Sequence, residues 1–186
     1  MTYYGGKQNM LKYILPLIPK HSIYVEPYFG GGAVFFAKEP AKVEFINDHD
    51  AEVINFYYVL KRKFKALKKE IDVTLHSEHQ QKQAKEIYRN PSGHSEVKRV
   101  WALWVLSHQS FYSILTNTWR CSKSRSLGMQ IQGRKETFDE RYTSFGKRIM
   151  KMRFITSIRR IFRRIWDITA VIQRKILKSC YNCYQT

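Results

Sequence analysis

Acidic residues are scarce in this chain. Its 186 residues hold 15 Asp and Glu against 33 Lys and Arg, a formal net charge of +18. That imbalance leaves the fold open but draws polyanions over long range, nucleic acid first and anionic membrane second. Cysteine is scarce too. Cys121, Cys180 and Cys183 are too few and too unevenly spread for a disulfide scaffold, and a reducing cytoplasm is the expected location. Cys180 and Cys183 form a lone C-x-x-C pair with no second pair and no His beside it, which is not a zinc signature. Long apolar runs are missing. The longest, residues 100–106, has seven residues, so no transmembrane helix is expected, and the N-terminus shows no apolar signal segment. Gly (9) and Pro (5) are sparse, and both are absent after Gly146. What is present suffices for a packed core: 44% hydrophobic and 15% aromatic residues exclude wholesale disorder.

Along the chain, residues 8–18 carry apolar side chains at helical spacing, limited by Pro16 and Pro19. Residues 22–26 are β-rich and end at Pro27. Gly30-Gly31-Gly32 follows, then a short apolar stretch, residues 33–37, that should open a helix. Residues 42–46 read as a second strand ending at Asn47-Asp48. Strand, glycine loop, helix, strand and acid are the opening of a Rossmann-like unit with a parallel sheet. Residues 51–89 are helical and heavily charged, and Asn90-Pro91-Ser92-Gly93 breaks them. Residues 95–110 form the densest apolar helix, residues 117–133 read as a long exposed basic loop, and residues 139–152 are again helical.

Two chemical readings of the glycine loop stay open. Glycine lets the backbone approach a ligand and turn sharply, and Asp48, eighteen residues after Gly30, can accept from both hydroxyls of a ribose. The same residues also suit a plain tight turn with Asp48 as a helix cap. An NAD site is disfavoured because Phe35 stands where G-x-G-x-x-G needs its last glycine. Gly5-Gly6-Lys7 is no phosphate loop, since the upstream glycine is missing and Gln8 replaces Ser or Thr.

Taken in order, Tyr3-Tyr4-Gly5-Gly6-Lys7, Tyr24-Val25-Glu26-Pro27-Tyr28-Phe29-Gly30-Gly31-Gly32 and Phe45-Ile46-Asn47-Asp48 resemble the Dam-like family of S-adenosylmethionine-dependent DNA adenine methyltransferases. Gln109-Ser110-Phe111-Tyr112 and Thr118-Trp119-Arg120-Cys121-Ser122-Lys123-Ser124 extend the likeness, which covers about residues 1–150. The resemblance implies an α/β fold: an incomplete Rossmann-like methyltransferase sheet, an inserted mainly helical target-recognition region and a basic helical C-terminal tail. It divides the chain into a donor-binding part (1–54), a helical DNA-binding region (55–135), a return to the methyltransferase domain (136–150) and the tail (151–186). It implies that Tyr3, Lys7, Glu26, Pro27, Phe29, Gly30, Gly31 and Asp48 hold S-adenosylmethionine, with Asp48 on the ribose. It also implies that Arg120, Lys123, Arg125 and Arg134 contact phosphates or bases of double-stranded DNA. The matching activity is methyl transfer to the exocyclic amino group of adenine.

The chain departs from the family at its catalytic signature, Asp-Pro-Pro-Tyr. In the family the flipped adenine donates its amino group to that Asp and to a proline-fixed carbonyl, while the Tyr ring stacks on the base. Here the aspartates are Asp48, Asp50, Asp72, Asp139 and Asp167, and none precedes a proline. The change coincides with a shift in composition. Residues 147–186 hold eleven Lys or Arg and one acid, Asp167, with Ile155, Ile158, Ile161, Phe162, Ile165, Ile168 and Ile172 at helical spacing. The expectation is a truncated or frame-shifted methyltransferase, weak or inactive as this chain, with a second polypeptide as one source of the missing half. The alternative is a non-enzymatic basic nucleic-acid-binding protein. Translating all three reading frames across the codons for residues 146–186 and beyond separates them. A frame change predicts Asp-Pro-Pro-Tyr soon after Met150 in an alternate frame, whereas its absence from every frame makes the basic tail the protein's own.

Overall fold

Two β-branched and aromatic runs, each closed by a residue that cannot extend it, make the first two strands. The computed structural model describes residues 4–120 and 126–154, with the backbone alone over residues 126–133. Strand β1 (Ile23–Glu26) stops at Pro27, which has no N–H to donate. Strand β2 (Val43–Ile46) lies parallel to it, pairing Ile23 with Val43 and Glu26 with Ile46. Parallel neighbours need a crossover, and the short helix α1 (Ala33–Ala37) provides it. Before β1, the helix expected over residues 8–18 is broken into a 3-10 turn at Lys7–Met10, one α-turn at Leu11–Ile14 and a second 3-10 turn at Leu15–Leu17. Pro16 sits in the last of these and withholds a helical N–H.

After β2 the charged stretch resolves into three helices, α2 (Ala51–Arg62), α3 (Phe64–Asp72) and α4 (Glu78–Arg89). Helix α5 (Glu96–Gln109) follows the Asn90–Gly93 break. Side-chain caps start three of them: Asp50 accepts from the Glu52 N–H, Ser77 from the Gln80 N–H and Ser95 from the Lys98 N–H. Helix α5 is the heart of the core. Every residue from Val100 to Gln109 is buried, and the helix packs on α2, α3 and α4. The indole of Trp101 donates to Thr74 Oγ1 at 2.7 Å, so the one polar atom of that ring is satisfied inside.

The exposed loop expected over residues 117–133 is corrected by the structure. Helix α6 begins at Ser126 and runs to Lys151, 26 residues that include Gly128 and Gly133. Each glycine costs a helix about 1 kcal/mol relative to alanine. The cost is outweighed by tertiary packing, since Phe138, Tyr142, Phe145 and Ile149 form a stripe at helical spacing against the core. Helix α6 therefore runs unbroken across residue 135, and α2 runs unbroken across residue 54. Strand β3 (Arg153–Phe154) then joins β2 in parallel, giving a three-stranded sheet of order β1-β2-β3. Its residues were expected to belong to the tail. The remaining tail, Tyr3, Lys123, Arg125 and all three cysteines lie outside the described residues. Among the described residues no helix is long and apolar enough to cross a membrane.

A buried ion cluster holds the end of α6 to the sheet. Glu44 of β2 accepts from Lys38 at 2.7 Å and from Arg148 at 2.9 Å, and Arg148 also donates to the Lys38 carbonyl at 2.9 Å. Burial alone would raise the Glu44 carboxyl, but the hydrogen bonds from Arg148, Lys38 and the Ala41 N–H outweigh it and hold the group below its ordinary value. A carboxylate depressed in the fold lends stability that is full above its unfolded pKa and is lost as pH falls through the folded one. Glu44→Gln should therefore lower unfolding free energy by about 3–5 kcal/mol at neutral pH, because two buried cations lose their partner. In urea titrations the gap to wild type should narrow as pH drops below about 4.3.

Candidate functional site

The loop after β1 is stitched to the end of β2 before any side chain is considered. The Asn47 N–H donates to the Glu26 carbonyl, and the Phe29 N–H donates to the Asn47 carbonyl, both at 3.0 Å. Gly30 then adopts φ 51° and Gly32 φ 70°, backbone that favours glycine. The ring of Phe29 folds inward, 1% exposed, and meets Phe35 and Tyr57 edge-on at 5.2 and 4.7 Å. At Gly32 a Cβ would lie 2.7 Å from the Phe36 ring and 2.8 Å from the Phe29 ring, so the aromatic packing itself requires glycine there.

Asp48 completes the loop. Its Oδ2 accepts the Gly30 N–H at 2.7 Å and its Oδ1 accepts the Asp50 N–H at 3.0 Å. On the other side of the same residue the Tyr57 hydroxyl donates to the Gly30 carbonyl at 3.3 Å. Gly30 is thus held at both its N–H and its C=O. Asp48 is half-buried, and a carboxylate offers about four lone-pair sites, so acceptor capacity remains after two amides. The helix cap expected of Asp48 falls to Asp50 instead.

Lys7 reaches the same loop from the N-terminus. Its ammonium donates to Glu26 Oε1 at 2.9 Å and to the Tyr28 carbonyl. Tyr24 donates to Glu26 Oε2 at 3.1 Å. Burial pushes the Glu26 carboxyl up, and the Lys7 charge opposes that rise without cancelling it. Burial, with Glu26 beside it, also raises the Tyr24 phenol. Lys7, Glu26, Pro27, Phe29, Gly30, Gly31 and Asp48 therefore gather around the C-terminal ends of β1 and β2. In open α/β sheets this is the rim where ligands sit. The exposed ring of the loop is Tyr28, 67% exposed, whereas Phe29 is its buried anchor. Tyr57 escaped the sequence reading, because a Tyr inside an apolar helical run carries no mark of what its hydroxyl will meet.

Of the four residues expected on DNA, Arg120 and Arg134 are described. Both lie at the C-terminal end of α5. The Arg120 N–H donates to the Gln109 carbonyl at 2.8 Å, and the Arg134 guanidinium donates to the His108 carbonyl. Cations there complement the negative end of the helix. Burial and the nearby Arg120 charge lower the Arg134 pKa.

The family model for D12 class N6 adenine-specific DNA methyltransferases matches residues 3–169. The chain belongs to this family. Over 85 residues it is 39% identical to the Type II methyltransferase M1.LlaDCHI of Lactococcus lactis subsp. cremoris, a stretch covering 45% of this chain and 28% of that protein. Over 63 residues it is 38% identical to the DNA N-6-adenine-methyltransferase of Escherichia phage P1, covering 34% of this chain and 8% of that one. Each matched stretch spans less than a third of its relative. The family match continues past Met150, where the composition turns basic. A D12-family chain built this way should tolerate no side chain at Gly32. Gly32→Ala should cost at least about 1 kcal/mol more in chemical denaturation than Gly93→Ala, since both glycines have positive φ but only Gly32 faces packed rings.

Proposed function

We propose that this chain binds S-adenosylmethionine across the C-terminal ends of β1 and β2, as the donor-binding part of a DNA N6-adenine methyltransferase. The observation that carries the reading is the two-sided hold on Gly30, which aims the Asp48 carboxylate at the rim of the sheet. The donor set suits the ligand. The unused acceptor capacity of Asp48 matches a ribose diol. Lys7 keeps one of its three donors after Glu26 and Tyr28 and is positioned to pair with an amino-acid carboxylate. Glu26, buried and only partly offset by Lys7, is suited to an ammonium group. Tyr28 offers an exposed ring to the adenosyl group, and Tyr3 is a further donor contact on this reading. When bound, S-adenosylmethionine supplies an electrophilic methyl group.

DNA reaches the chain through its charge of +18. Arg120, Lys123, Arg125 and Arg134 contact phosphates or bases, and the Arg134 guanidinium also donates to the His108 carbonyl. The chain contains no Asp-Pro pair to receive the adenine amino group, so it binds donor and duplex without transferring the methyl group itself.

Isothermal titration of the full chain with S-adenosylmethionine tests the reading. Wild type should bind. Asp48→Ala should weaken binding at least about tenfold, and Tyr57→Phe should weaken it less. Methyl transfer from labelled donor to DNA should stay at background. Duplex binding should survive Asp48→Ala and fall with salt at a log–log slope of about 0.9 per phosphate neutralised. Donor affinity indifferent to Asp48 refutes the site.

A further inference from the structure

Tyr24 and Glu26 stand two residues apart on β1, so both side chains leave the same face of the sheet. Glu26 is buried, and both of its carboxylate oxygens are engaged. Oε1 accepts from the Lys7 ammonium at 2.9 Å, and Oε2 accepts from the Tyr24 hydroxyl at 3.1 Å. The two donors differ in how firmly they are held. Lys7 comes from a 3-10 turn with no buried residue, and its side chain is 36% exposed. Tyr24 belongs to the strand itself.

The ring of Tyr24 is braced in its turn. The Lys38 ammonium lies 3.9 Å from the ring centroid and is bound to Glu44 at 2.7 Å. Glu44 also takes Arg148 of α6, whose guanidinium lies 4.6 Å from the centroid of Phe35. The buried ion cluster that ties α6 to the sheet therefore also supports the ring whose hydroxyl reaches Glu26.

A carboxylate has about four lone-pair sites, and Lys7 and Tyr24 occupy two of those on Glu26. Burial raises the Glu26 carboxyl, while Lys7, the Tyr24 hydroxyl and the Lys38 charge oppose the rise. Burial also raises the phenols of Tyr24 and of Tyr57 on α2, so both stay protonated through the neutral range. Lys38 is lowered by burial and supported by Glu44. Farther out, the charge of Glu44 acts on Tyr24 and that of Asp48 on Tyr57.

We propose that Tyr24 is a positioning residue of the donor site: its hydroxyl keeps the Glu26 carboxylate ionised and in one orientation, so that the remaining lone pairs receive the ammonium group of S-adenosylmethionine. The proposal rests on the donor-binding reading and adds to it a residue that acts through another.

Tyr24→Phe keeps the ring beside Lys38 and removes only the hydroxyl. One readout needs no ligand. In the full chain, isotope-labelled at its Glu carboxyl carbons, the NMR signal of Glu26 is assigned by its loss in Glu26→Gln. A hydrogen bond to the ionised form favours that form, so Tyr24→Phe should raise the Glu26 titration midpoint by at least about half a pH unit, about threefold in the ionisation constant. The second readout is S-adenosylmethionine affinity against pH by isothermal titration. An ammonium group needs Glu26 ionised, so affinity falls as pH drops through the Glu26 midpoint, and in Tyr24→Phe that fall should begin at higher pH by the same interval. A merely structural hydroxyl lowers affinity by one factor at every pH, and either midpoint staying in place overturns the proposal. A Tyr24→Phe chain without a cooperative urea transition overturns it too, because the hydroxyl would then serve the fold. Failure of wild type to bind S-adenosylmethionine refutes the donor site and the proposal with it, whereas an unmoved Glu26 midpoint beside wild-type binding refutes only the part given to Tyr24.

Discussion

One carboxylate, Asp48, ties together three parts of the chain through side-chain hydrogen bonds. It stands where β2 ends, receives the Gly30 N–H from the loop after β1 and receives the Asp50 N–H at the start of α2. Asp50 in turn caps α2 and accepts from the Tyr88 hydroxyl of α4 at 2.8 Å. Sheet, glycine loop and helical region are thus linked by two acids, two positions apart, in a single turn. A side chain so placed shapes the rim of the parallel sheet, and the proposed donor site rests on it.

The scarcity of acids gives this arrangement a wider meaning. With 15 acids among 33 bases, most cations have no carboxylate to meet. Several of the described acids sit at joints between elements. Glu44 gathers Lys38 and Arg148, Glu52 holds Arg99, Glu26 holds Lys7, and Asp139 meets Lys68 across α6 and α3. The pairs at Glu44 are buried; such pairs add little net stability over apolar packing, but removing one partner strands the other. They specify which surfaces meet. Among the described residues other cations bond backbone carbonyls instead, as Lys61 does that of Met152 and Arg134 that of His108.

Much of the sheet and its glycine loop was legible from local signals. Residues 22–26 are β-rich and end at Pro27, residues 42–46 end at Asn47-Asp48, and the strands formed within a residue of those limits. The Asn90-Pro91-Ser92-Gly93 break and the apolar density of residues 95–110 marked α5. Other features were illegible for identifiable reasons. Gly128, Gly133 and a run of basic residues look like loop, yet the segment is helix because the stripe of Phe138, Tyr142, Phe145 and Ile149 has a core to pack on. The hold of Tyr57 on Gly30 spans 27 residues, and that of Arg148 on Glu44 spans 104. No local pattern encodes a partner so far away.

The sequence by itself determined the class of chain: a basic protein with a glycine loop between two short parallel strands, an acid at the end of the second, and no Asp-Pro pair. Those properties follow from residue chemistry and spacing along one stretch of backbone. Only the tertiary structure decided that Asp48 braces Gly30 while Asp50 caps the helix, and that Phe29 points inward and Tyr28 outward. Each depends on which side chains from distant segments arrive at one place, and that is settled by packing α5 and α6 against the sheet rather than by any local preference.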